Sequence, residues 1–417
     1  MKLFIGLDVS STKLDACFLT SESTILLETT VSNDLVGACE LKGHVLSYID
    51  QFNFSRIVIG MEATGQYSSL PALFFNEDVE LRSQGVETTV ENPRNIHRFM
   101  RIFSEDKNDQ LDAFHIADYL RLERFSTSPI KEEQYVALQS LTRARFNPIQ
   151  DMTRTKQHFL NILYMKCNVL QRELKSESGS TSVFSTTILE LFTTEFTLDE
   201  IGYMPLEKLV DIVNPKGRGR FKQPEKLAQR LQKAVRSSYR LGKTVQDSID
   251  SVLASQVRII RTYQEEIKTL DKAIIEILAV IPESKSLLSI PGIGPVYTAG
   301  ILAEIGQIDR FANQAKLAKY AGLFWPKSQS GNFEKESTPL SRQGNRYLRY
   351  YLIEATNSVK RHLPEYSDYY QKKFQEVPKH QHKRALVLTA RKFVRLVDKL
   401  LRDHQLYTPP RSVIEHS

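Results

Sequence analysis

Apolar runs of strand length and apolar positions of helical spacing take turns over the first 130 residues. Residues 3–9 (LFIGLDV) are apolar apart from one acid near the end, Asp8. Ser10-Ser11-Thr12 is a turn signal, and residues 14–19 resume the apolar run. This predicts a β-hairpin whose first strand is buried on both faces. A third strand is expected at 24–31, then a helix over 35–52 with Leu41, Val45 and Ile49 on one stripe. Residues 56–62 (RIVIGME) repeat the design, again ending in a single acid, Glu62. Ala63-Thr64-Gly65 then turns into a helix containing Leu70 and Leu73. Residues 85–90 give another strand, stopped at Asn92-Pro93. Ala113, Ile116, Ala117 and Leu120 mark a helix that begins in the run KNDQLDA, residues 107–113. An antiparallel start followed by βαβ units means a mixed sheet with helices on its faces.

From about residue 131 the pattern is helical. Leu138, Leu141, Met152, Phe159 and Leu163 lie on helical spacing among many charges, and Pro148 predicts a kink or a break into two helices. Residues 180–220 carry Ser/Thr clusters, a short helix near Leu206 and the stretch PKGRGR at 215–220. That stretch reads either as a nucleic-acid contact or as a plain exposed loop. Ile249, Val252, Gln256, Ile260, Tyr263, Ile267, Leu270, Ile274 and Ile277 recur in steps of three and four. The spacing fits a coiled-coil seam, and equally one long amphipathic helix packed on its own chain.

Residues 287–295 (LLSIPGIGP) predict a helix end, a tight turn at Gly292 and Gly294, and a new helix with Ala299, Leu302 and Ile305. Such a helix–hairpin–helix-like element presents backbone N–H groups that bind phosphate. YAGLFWP follows at 320–326, then Lys327-Ser328-Gln329-Ser330-Gly331, then LSRQGNRYLR at 340–349 and a helical tail. The fold class read here is α/β plus all-α, in three domains. Residues 1–130 hold the mixed sheet, 131–280 are helical with an insert near 180–225, and 281–417 form a C-terminal helical domain.

Composition narrows the function. No apolar run approaches the roughly 18 residues of a membrane helix. The opening MKLFIGLDVS is too short and too soon interrupted for a signal peptide. Cys17, Cys39 and Cys167 are far apart, which argues against a disulfide framework or a zinc site and fits a reducing cytoplasm. The net charge of +7 is uneven, because residues 335–411 hold 17 Lys/Arg against 7 Asp/Glu. A basic C-terminal stretch on a slightly acidic body points to a polyanion partner, nucleic acid first.

The acids carry the chemistry. A carboxylate in a doubly buried strand is costly unless paired or metal-bound, and Asp8 stands in such a strand, with Glu62 closing a similar one. Asp109 and Asp112 share one face of a helix start, where the dipole favours anions. Hard cations such as Mg²⁺ take such oxygen ligands together with waters and phosphates. Singly, each acid is equally an ordinary solvated carboxylate.

Together, with their surroundings, they resemble a known family. GLDVSSTKLD, GMEATGQY, ENPRNI and KNDQLDA are similar to the DEDD insertion-sequence transposases of the Piv/MooV invertase group. The placement of the acids resembles the RNase H-like fold of RuvC-type nucleases. PGIG, GLFWP, Ser330-Gly331 and GNRYLR resemble the second signature domain of the same transposases. Two departures stand out: Asn108, where the family more often has Thr or Ser, and GLFWP, one residue longer than the usual stretch. The resemblance covers about 1–175 and 235–380 and leaves out the insert.

It implies that Asp8, Glu62, Asp109 and Asp112 hold Mg²⁺, as two ions, and that Ser330 is the nucleophile toward DNA, with Ser328 a near decoy. Gly292, Gly294, Lys327, Arg342, Asn345, Arg346 and Arg349 are the expected nucleic-acid contacts. The resemblance further implies donor and target DNA, a structured bridge RNA, and a homo-oligomer, dimer or tetramer, in which acids and serine come from different protomers. Three other readings stay open on the residues alone. One is a junction-resolving endonuclease with water as nucleophile. Another is an actin-like ATP-dependent kinase, suggested by GLDVSSTK but with no second phosphate loop following. The last is a non-catalytic nucleic-acid scaffold.

Overall fold

The five predicted strands form one mixed sheet. β1 (Lys2–Val9), β2 (Lys13–Thr20) and β3 (Ile25–Ser32) make an antiparallel meander, and β4 (Arg56–Glu62) and β5 (Val86–Glu91) run parallel to β1, in the order β3-β2-β1-β4-β5. The computed structural model describes residues 1–65, 67–100, 109–123, 125, 132–175, 181–217, 221–325, 329–330, 333–334, 340–341 and 343–409. It divides into two compact units, Met1–Val136 with Glu304–Ser417, and Ala137–Ala303.

In the first unit, strand alternation splits the core in two. Leu3, Ile5 and Leu7 of β1 pack with α1 (Leu35–Gln51) and α2 (Ser69–Glu77) on one side. Phe4 and Val58 pack on the other side against α4 (Pro93–Met100) and α5 (Asp109–Arg121). The first strand is therefore buried on both faces, as its apolar run predicts. Asp34 starts α1 by accepting the Gly37 N–H at 2.9 Å. The short helix α3 (Val79–Ser83) and α4 were not legible as separate elements.

The second unit corrects three expectations. First, α6 (Glu133–Lys166) continues through Pro148 as one helix, so the break into two helices does not occur there. The proline removes one backbone bond, but Leu138 and Thr142 before it and Phe159 and Leu163 after it are all buried, so packing on both sides carries the helix across. Second, the stretch around 180–220 is helical well beyond Leu206. It holds α8 (Thr186–Glu190) running into a π-turn at Leu191–Glu195, α9 (Leu198–Tyr203) and α10 (Leu206–Gly217), and is flanked by α7 (Leu170–Leu174) and α11 (Pro224–Arg236). Pro215-Lys216-Gly217 closes α10 rather than opening a loop, while Arg218 and Arg220 lie outside the described residues.

Third, the buried stripe of α12 (Lys243–Ala279) is shifted from the predicted seam. Ile249, Leu253, Val257 and Ile260 enter the core that the insert helices and α6 build, whereas Val252 is 43% exposed. The insert supplies a partner face within the same chain, so this half of the helix turns toward it. Further along, Ile267 and Leu270 are half-buried.

α13 (Ser284–Leu288) and α14 (Pro295–Ile305) flank the GIG turn. Beyond them lie α15 (Gln314–Tyr320), the short strands β6 (Gln329–Ser330) and β7 (Phe333–Glu334), α16 (Arg346–Val359), α17 (Pro364–Gln375) and α18 (Gln381–Arg402). α15, α16 and α17 all pack on α18. Among the described residues no helix is long and apolar enough to cross a membrane.

Candidate active site

Strand register lines up four carboxylates. Asp8 of β1 pairs with Asp15 of β2, and Glu62 of β4 pairs with Glu91 of β5. Leu7 lies beside Met61, so Asp8 and Glu62 follow one step on along the two central strands. The row Asp15-Asp8-Glu62-Glu91 thus crosses the sheet on one face. That face lies under α5. Gly6 and Gly60 sit two residues before Asp8 and Glu62, and a methyl group on Gly6 would lie 2.2 Å from the Ala113 carbonyl oxygen. One on Gly60 would lie 2.5 Å from the Leu120 side chain. Only glycine allows the helix this close to the strands. Asp112 precedes Ala113 and is half-buried in the first turn of α5. Asp109 is the first residue of that helix, and its side chain lies outside the described residues.

The outer acids differ from the inner ones in their partners. Asp15 is buried, accepts the Thr30 hydroxyl at 2.6 Å and lies 3.1 Å from Lys13 Nζ. Its charge is therefore satisfied within the sheet. Glu91 is also buried, and burial pushes its carboxyl above the usual range, opposed by a 3.1 Å hydrogen bond from Thr89. Asp8 and Glu62 are half-buried, open enough to meet a ligand. From α4, His97 brings its Nε2 to 3.7 Å from Glu62 Oε1. Among the described residues no three His, Cys, Asp or Glu side chains stand together as a metal cluster. The donor chemistry suits a hard cation all the same, since the inner acids offer only oxygen.

The serine lies in the C-terminal part of the same unit. Ser330 ends β6 and pairs with Phe333 of β7. Its side chain, with Lys327, Ser328 and Arg342, lies outside the described residues. The base of this segment is closed by backbone bonds: Ser341 N–H donates to Phe324 O at 2.9 Å, and Asn345 N–H to Tyr320 O at 2.6 Å. Asn345 also caps α16, its Oδ1 accepting from the N–H groups of Tyr347 and Leu348. Its Nδ2 donates to the fully buried Glu304 at 2.6 Å and to Tyr320 Oη at 3.1 Å. Arg349 donates from Nη1 to Ala321 O at 3.1 Å. Gly344, at φ 149°, leaves no room for a side chain, because a methyl group would lie 2.6 Å from Gly322 N. Two of the expected nucleic-acid contacts, Asn345 and Arg349, thus have internal work. Arg346 is exposed and stacks over its neighbour Tyr347 at 4.7 Å. In the other unit Gly292 takes the left-handed conformation, at φ 91°, and Gly294 heads α14 in open space.

These two blocks, an acidic N-terminal sheet and a C-terminal serine segment, are also where known proteins match. Residues 5–166 match a family model of the DEDD IS110 type, described as Transposase. Residues 284–371 match the model described as Transposase IS116/IS110/IS902 family. Together they cover more than half of the chain. The chain belongs to the IS110/IS116 family of transposases. It is 25% identical to the uncharacterized 44.8 kDa protein of insertion element IS116 from Streptomyces clavuligerus, over 99% of this chain and 98% of that one. Identity to the uncharacterized 43.6 kDa protein of insertion element IS110 from Streptomyces coelicolor is 26%, over 73% of this chain and 72% of the relative. A shorter match, 29% identical over 30% of this chain and 32% of the relative, is to the transposase for insertion sequence element IS1111A of Coxiella burnetii.

As a transposase of this family the protein acts on DNA, cutting and rejoining it. The interval 167–283, with the insert and most of α12, lies outside both family models. Sequence reasoning did not single out Glu91 or His97. Glu91 was in view as the first residue of ENPRNI, but only the β4–β5 register shows that it faces Glu62. His97 had no signal beyond its place in a helix following Pro93.

Proposed function

We propose that this transposase cuts DNA at an RNase H-like site formed by Asp8, Glu62, Asp109 and Asp112, and passes the cut strand through Ser330. The observation that carries the reading is the β1–β4 register, which sets Asp8 and Glu62 one step past the Leu7–Met61 pair, under the helix that bears Asp109 and Asp112. Two Mg²⁺ ions held by these four acids would offset the charge on a scissile phosphate and on the oxygens that attack and leave it. His97, with its Nε2 3.7 Å from Glu62, helps to orient that acid, and Glu91 flanks it in the strand register. The Ser330 oxygen bonds to phosphorus, the deoxyribose oxygen leaves and takes up a proton, and the bond energy is kept in a phosphoserine ester. Attack by the hydroxyl of a second strand reverses the step and returns the proton to serine, so no nucleotide cofactor is consumed.

Sequence choice is assigned to a bridge RNA pairing with donor and target, with the protein binding shape and backbone. Acids and serine of one working site come from different protomers of a dimer or tetramer. Family membership and the basic C-terminal stretch support these parts.

The test uses the full-length protein, labelled duplex, the element's RNA and Mg²⁺. Asp8→Ala, Glu62→Ala, Asp109→Ala and Asp112→Ala should each lower strand cleavage about a hundredfold or more with the protein still folded. A variant that keeps wild-type cleavage removes that residue from the site, and four such variants remove the reading.

A further inference from the structure

The chain turns from α16 into α17 at residues 360–363, and the turn walls a recess of about 550 Å³. Lys360, Arg361, His362, Pro364, Ser367 and Tyr370 line it, with Asp368 as its one acid among the described residues. Lysines on a protein surface are usually loosely held and fully hydrated. Lys360 is neither. Its Nζ lies 3.7 Å from the centroid of the Tyr370 ring, and Tyr370 is buried with its hydroxyl 2.7 Å from His382 Nδ1. The cation is thus held over a ring that is itself fixed. Burial, and then the neighbouring Arg361, lower the Lys360 ammonium from its ordinary value, the mark of a positive charge short of counter-charge. Among the described residues neither Lys360 nor Arg361 has a carboxylate partner. The recess also faces the first turn of α17, whose dipole adds positive potential.

The wider surface has the same sign. Between residues 346 and 402 the chain carries 14 Lys/Arg against 5 Asp/Glu. Lys392 lies 4.8 Å from the Tyr366 ring and 5.2 Å from the Tyr369 ring, and Lys373 lies 5.6 Å from Tyr369. Meanwhile Asn345 and Arg349, two of the residues expected to meet DNA, make hydrogen bonds within the fold. We propose that the recess at the α16–α17 turn seats a backbone phosphate of duplex DNA, gripped by Lys360 and Arg361. It is a positioning contact, blind to sequence.

The experiment measures binding of the full-length protein to a duplex of about 30 base pairs while salt is varied around roughly 0.15 M. Lys360→Gln with Arg361→Gln should weaken binding about tenfold and flatten the slope of log affinity against log salt by about one to two, equally for unrelated sequences. Lys379→Gln with Lys383→Gln removes equal charge from exposed positions outside the recess and should change affinity less than about twofold. Arg361→Gln alone, at an exposed position that cannot disturb the core, should give about half the change in slope. Equal effects of the two double variants would reduce the recess to ordinary solvated surface and overturn the proposal. So would a loss confined to one DNA sequence. If only binding of an RNA duplex falls, the seat belongs to RNA and the DNA assignment is wrong.

Discussion

The side-chain amide of Asn345 donates at 2.6 Å to the carboxylate of Glu304, a residue with no exposed surface. Resemblance places Asn345 among DNA contacts, yet its polar atoms are all engaged within the fold. Asn345→Asp keeps the helix cap but sets a second carboxylate against the first. We expect a loss of about 3 kcal/mol in urea unfolding. Adding Glu304→Gln should recover most of it, because a glutamine amide can then donate to Asp at 345. A double variant no more stable than the single one would mean that this contact is not what fixes Asn345.

Gly6 and Gly60 set how closely α5 approaches the acids, but their neighbours differ. Gly6→Ala drives a methyl group into the backbone of Ala113 and Ala117. Gly60→Ala meets only the Leu120 side chain, which can shift. Gly6→Ala should cost about 2 kcal/mol or more and remove strand cleavage although every acid is intact. Gly60→Ala should be milder on both counts. Equal cleavage by Gly6→Ala and wild type would separate helix placement from activity.

Ser330 separates a recombinase from a hydrolase. Denaturing gels of protein incubated with labelled DNA, any required RNA and Mg²⁺ should show a DNA-linked band in wild type and in Ser328→Ala, and none in Ser330→Ala. A band that survives in Ser330→Ala but disappears in Ser328→Ala moves the nucleophile two residues upstream. Cleavage with no linked band in wild type would mean that water attacks instead.

Ile260 and Ile267 stand on the same predicted seam but face different surroundings. Ile260 is 1% exposed in the core shared with the insert, whereas Ile267 is half-buried. Ile260→Asp should therefore cost on the order of 4 kcal/mol and unfold its unit. Ile267→Asp should leave the fold intact and lower the particle mass seen by light scattering, if that stretch joins protomers. An unchanged mass would confine the whole helix to its own chain.

The sheet was legible because each strand is a short apolar run bounded by turn residues, and β4 falls on the residues its pattern marks, Arg56–Glu62. The inner acids were legible because a lone carboxylate at the end of an apolar strand is anomalous in itself. Glu91 is less anomalous in sequence, lying in VETTVE, where polar residues already alternate. The insert failed for a different reason. Its helices are only five to 12 residues long, too short for periodicity to rise above Ser/Thr-rich surroundings. The cap that Asn345 makes was not legible, because an Asn before a basic helix looks the same whether it reaches out or caps inward, and the buried acid it meets lies 41 positions earlier.

The bonds from Ser341 to Phe324 and from Asn345 to Tyr320 fasten the two ends of the serine segment to each other, so the rest of the domain is indifferent to its length. Lengthening a loop whose ends are already joined adds little entropy, about 0.6 kcal/mol for each doubling. A transposase built this way can lengthen, shorten or rewrite the segment that carries Ser330 while its helical framework stays as it is.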